Sequence, residues 1–144
     1  MYYEVQEAID KNIKVMKAKR FAYFTAPFLF PGMLIAFNFF THSKDFSHVI
    51  LIFLAIASFS GYMYIRDAKA VKYLSEEPEI KEIQGFLKKG ADKKGDRYYI
   101  GESDTVYREG AEDCEEYEGQ IVCATVEVKS GIILLIRTAK DAVN

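Results

Sequence analysis

Two stretches decide how this chain reads: FAYFTAPFLFPGMLIAFNFF at residues 21–40 and FSHVILIFLAIASFSGYMYI at residues 46–65. Neither contains Asp, Glu, Lys or Arg, and only residues 41–45 separate them. At ~1.5 Å per residue, a helix of about twenty residues is roughly 30 Å long, the thickness of a bilayer's hydrocarbon core. The pair reads as a helical hairpin that crosses a membrane twice. A mean hydropathy of -0.06 conceals this. The charges, 28% of the residues, lie almost entirely outside the two runs, so a sliding window is needed in place of the average.

Working outward, residues 2–20 read as an amphipathic helix. Val5, Ile9, Ile13 and Met16 recur at helical spacing, with Glu7–Lys11 and Asp10–Lys14 pairs on the wetter side. Lys14, Lys17, Lys19 and Arg20 collect just before the first run, and Arg66 and Lys69 follow the second. These six are expected at the membrane surface, either as the ordinary flank of a span or as a helix that binds anionic lipid. The connecting loop carries only Lys44, beside Asp45. The positive-inside rule then places both termini in the cytoplasm, across a bacterial inner membrane or its equivalent. The apolar runs start late and are full length, which argues against a cleavable leader.

Within the first run, Pro27 and Pro31 remove backbone donors and are expected to bend the helix. Gly32 with Ala36, and Ala57 with Gly61, make two small-xxx-small pairs that let backbones approach. Two uses stand open: packing one span on the other, or an oligomer interface. The absence of an ionisable side chain at depth argues against a pump or a coupled transporter.

Beyond the hairpin, residues 66–95 read as a helical linker. The second span runs on to about Leu74, and Ser75 caps a short helix from Glu79 to Lys89 that carries Ile80, Ile83 and Leu87. Residues 96–144 read as a small β-rich domain of about four antiparallel strands. Gln120–Val128 and Ile132–Thr138 are its clearest pair, joined by Lys129-Ser130-Gly131. Val122, Ala124, Val126 and Val128 form the better core face. Residues 132–136, IILLI, have no polar face and need cover on both sides. Ile132, Ile133 and Leu135 are accordingly the expected docking residues for a partner. The segment from Gly95 to Ile136, with Gly101-Glu102, GQIVCATVEVKSG at residues 119–131 and the apolar strand after it, resembles the OB-type barrel that ends NfeD-family membrane proteins. It is equally similar to the PH-like domains that follow two-span hairpins in bacterial proteins. Either resemblance implies a small barrel and no particular activity.

Chemistry-bearing residues are few. Glu109, Glu112, Asp113, Glu115, Glu116 and Glu118 crowd one loop but lack EF-hand spacing, so a solvated loop is expected. His42 and His48 with Asp45 could gather a metal only from helix ends without an orienting shell, and read as interfacial histidines. Cys114 is surrounded by acids, which raise a thiol pKa, and Cys123 has no histidine in its half of the chain. A net charge of -2 speaks against nucleic acid as a partner. The expectation is a non-enzymatic membrane protein without cofactor or metal. Its hairpin anchors a cytoplasmic docking or assembly domain, in a homo-oligomer or beside other membrane subunits. The alternative is a holin-like or defence-type effector that perturbs the membrane, with the β domain as sensor.

Overall fold

The computed structural model describes residues 2–40, 47–92 and 95–140. They form two compact units, one made of residues 1–15 with 72–144 and the other of residues 16–71. Two long helices, α1 (Tyr2–Phe40) and α2 (Ser47–Ser75), precede five strands: β1 (Ile80–Asp92), β2 (Gly95–Ile100), β3 (Arg108–Glu109), β4 (Ile121–Glu127) and β5 (Ile132–Thr138).

The unit of residues 16–71 is the helical hairpin. Met16, Arg20, Tyr23, Pro27, Pro31 and Leu34 on α1 are buried or half-buried at steps of three and four. So are Val49, Phe53, Ile56, Ser60, Met63 and Asp67 on α2. That spacing makes one seam on each helix, as in an antiparallel coiled coil. Phe28 and Phe53 meet edge to face, with ring centroids 6.5 Å apart. Both prolines lie on the seam, and α1 runs through them as a single helix. Thr25 donates its hydroxyl to the carbonyls of Phe21 and Ala22, so it asks nothing of the surroundings. Outside the seam the helices are bare. Only 6% and 11% of their apolar windows are buried. Both helices are long and apolar enough to span a membrane.

The second unit is a closed barrel. β1 is long enough to serve two neighbours. Its first half pairs antiparallel with β4, from Ile80 opposite Glu127 to Phe86 opposite Ile121. Its second half pairs with β2, from Leu87 opposite Ile100 onward. The handover falls between Phe86 and Leu87, just after Gly85, where an added Cβ would lie 2.6 Å from the Gly101 nitrogen, too close for any side chain. β4 pairs antiparallel with β5, with a bulge at Thr125/Val126. β5 pairs parallel with β3, and Tyr107, just before β3, bridges Tyr98 on β2. Pairing therefore runs in a ring, β1–β2–β3–β5–β4–β1. This is the connectivity of a five-stranded OB-type Greek-key barrel. Leu87, Tyr98, Ile100, Tyr107, Cys114, Val122, Ala124, Val126, Ile133 and Ile136 fill its interior.

Several expectations need correction. Residues 80–92 are a strand, not a helix. Ile83 and Leu87 lie four apart, a spacing that suits one helical face and one strand face equally. Pairing with β4 and β2 settles it in favour of the strand. Ser75 ends α2 and caps no further helix. The domain starts near residue 72, not 96, and it contains five strands, one pair of them parallel. Val128 is exposed, while Val122, Ala124 and Val126 are fully buried.

Candidate functional site

The apolar strand β5 has cover on both sides without a partner protein. Ile133 and Ile136 point into the barrel. Over the domain's outer side lies the start of α1, whose Ala8 and Ile9 are buried. Three polar contacts fix it there. Arg137 on β5 donates to Glu4 at 2.7 Å, and Lys11 donates to Glu112 at 2.9 Å. Between them, the fully buried Asn12 accepts from the Ala111 backbone N–H at 2.8 Å and donates to the Ala8 carbonyl. Gly110 permits this approach, since a Cβ there would lie 2.3 Å from Asn12 Oδ1 and 2.5 Å from the Ile133 carbonyl oxygen. Docking at Ile132 and Ile133 is therefore corrected: both are buried inside the unit. Leu135 is half-buried and lines a small cleft of about 110 Å³ with Glu4, Val5, Glu82, Cys123, Thr125 and Arg137. Along this part of α1, Ala8, Ile9 and Asn12 are buried within the unit, and Val5 and Ile13 are half-buried. Asn12 was the overlooked signal, a polar side chain set between Ile9 and Met16 on an otherwise apolar face.

The acidic loop is occupied with its own backbone. Glu109 accepts from the Cys114 N–H at 2.7 Å, Asp113 accepts from the Glu115 N–H at 2.9 Å, and Lys89 pairs with Glu115. Among the described residues, no three His, Cys, Asp or Glu side chains converge as metal ligands would. His48 is exposed at the start of α2, while His42 and Asp45 lie outside the described residues. Cys114 is sealed in the barrel. Burial first, and then the charges of Glu109, Asp113 and Glu112, push its thiol up to about 12, far from nucleophilic at neutral pH. Glu127, also fully buried, is an acceptor for the Glu79, Lys129 and Ser130 N–H groups and so pins the β4–β5 turn. An acid followed by Lys-Ser-Gly is the sequence mark of such a turn.

On the hairpin, the two glycines of the small-residue pairs face open space. A Cβ added at Gly32 or Gly61 would meet nothing within 4 Å. Ala36 is exposed and Ala57 half-buried. Of the basic residues, Lys14, Lys17, Lys19 and Lys69 are exposed. Arg66 and Arg20 are half-buried: Arg66 donates to Asp67 at 3.2 Å, and Arg20 donates to the Tyr64 hydroxyl at 3.0 Å.

The chain matches no known protein family, no curated protein and no solved structure.

Proposed function

We propose that this is a two-span integral membrane protein of the bacterial inner membrane. Its termini lie in the cytoplasm, and its hairpin anchors a small barrel as an assembly module, in a homo-oligomer or with other membrane subunits. One observation carries the reading: the hairpin buries a narrow seam and leaves the rest of two uncharged runs bare, with Phe21, Phe28, Met33, Leu51 and Phe59 each more than half exposed. In water such a surface would aggregate; in lipid it is ordinary. The open faces at Gly32 and Gly61 support association, because small residues unused within the hairpin allow another helix to come close. The barrel supports a module role through its outward cross-strand pair Phe86 and Ile121, both exposed.

Native mass measurement in mild detergent tests this. An oligomer or a stable heteromeric complex is expected. A strict monomer that stays folded would overturn the assembly reading. A thiol introduced by Ser43→Cys should react with an impermeant reagent added outside intact cells. Labelling only after lysis would reverse the topology.

A further inference from the structure

Where the charged flank of α1 gives way to the uncharged run, the hairpin forms an open-sided cleft of about 480 Å³ lined by Lys17, Arg20, Phe21, Phe24 and Tyr64. Two of its five walls are cations, and no carboxylate lines it. Arg20 is held in place. Its guanidinium carbon lies 4.8 Å from the centre of the Tyr64 ring, and Nη2 donates to the Tyr64 hydroxyl. A guanidinium fixed by stacking and one hydrogen bond presents its remaining donors in a set direction. Beside it, Lys17 adds a second cation to the same cleft, and no carboxylate in the lining neutralises the pair.

We propose that this cleft binds the phosphate of an anionic phospholipid headgroup, an inference that rests on the membrane reading above. The terminal donors that Arg20 does not spend on Tyr64 face the phosphate oxygens, in the forked geometry that suits a phosphate group. Lys17, one helical turn earlier on α1, adds a second positive charge. Phe21 and Phe24, 71% and 62% exposed, supply the apolar wall against which the glycerol and first acyl methylenes lie. A soluble phosphate would match the cations but make no use of that wall. The site differs from general attraction between a basic flank and an acidic surface, which treats each Lys and Arg alike.

The test uses the full chain in mild detergent, titrated with phosphatidylglycerol or phosphatidylcholine and read by native mass spectrometry. Phosphatidylglycerol should be retained about tenfold more than phosphatidylcholine, which offers the same phosphate but brings its choline cation against Lys17 and Arg20. Arg20→Gln should abolish that preference. Lys19→Gln, which removes an equal charge from the adjacent position, should lower it by no more than about twofold, as expected of one exposed surface cation. Tyr64→Phe keeps the stacked ring but removes the hydrogen bond to the guanidinium, and it should give an intermediate loss with the hairpin's helicity unchanged. Equal losses for Arg20→Gln and Lys19→Gln would overturn the site in favour of diffuse attraction. Displacement of the lipid by millimolar inorganic phosphate would overturn the lipid assignment. Failure of the membrane reading itself looks different: the chain would stay soluble without detergent and would not float with vesicles of either lipid.

Discussion

Cys114 shows how much one side chain's setting decides. Its sulfur sits in the barrel core, beside the carboxylates that cap the loop around it. Its thiol is pushed from an ordinary 9.0 to about 12, by burial first and by Glu109, Asp113 and Glu112 after it. The folded state therefore holds this proton more tightly than the unfolded chain does. Its contribution to stability is fully present below about pH 9 and is lost as pH rises from there toward about 12. Unfolding midpoints measured across that window should fall for the natural chain and fall less steeply for Cys114→Ala. Equal slopes would show that the thiol does not titrate as described. The acids around Cys114 were readable as neighbours in sequence. Its burial, the larger cause, was not, because it depends on the ring of strands closing over it.

At the scale of elements, α1 does two jobs along its length. Residues 2–15 belong to the barrel unit and residues 16–40 to the hairpin. The apolar stripe at Val5, Ile9 and Ile13 announces a helix with one buried face, but a stripe does not say what buries it. The cover over β5 depends on Asn12, whose side chain replaces solvent at the Ala111 N–H. Asn12→Ala leaves that donor unmet and should cost about 1–3 kcal/mol. The loss can be read in the full chain from the urea dependence of Cys114 labelling, since the thiol reacts only when the barrel opens. Labelling unchanged from the natural chain would mean that the helix rests on the barrel without holding it. β1 carries the opposite lesson. Ile80, Ile83 and Leu87 fit a helix in sequence, yet the strand wins. Two neighbouring strands supply its backbone partners, and Gly85 lets it pass against Gly101.

For the whole molecule, the bare helices are the dominant fact. The seam uses Pro27, Pro31, Val49 and Ser60 and leaves Gly32 and Gly61 open. Leucine at both glycines should therefore fit the single hairpin without a clash. Gly32→Leu with Gly61→Leu is expected to leave helicity and barrel unfolding unchanged and to shift the mass distribution toward monomer. Unaltered assembly would place the contact elsewhere, with Phe86 and Ile121 as the next surface to change. Induced expression with a membrane-potential dye addresses the effector alternative: depolarisation would favour lesion formation over anchoring.

The two uncharged runs were legible in the sequence alone. Each is a local stretch of about twenty apolar residues, long and apolar enough as a helix to span a membrane whatever the rest of the chain does. The strand pair at residues 121–138 was equally local, because alternation and a Gly-containing turn specify a hairpin without distant help. Tertiary structure decided everything that depends on a partner far along the chain. It turned residues 80–92 into a strand, closed the ring through Tyr98 and Tyr107, and laid residues 2–15 over the barrel. It also separated Gly32 and Gly61 from the hairpin seam and brought Arg20 onto Tyr64, 44 residues away. In each of these cases the local pattern was compatible with two structures, and the non-local contact chose between them.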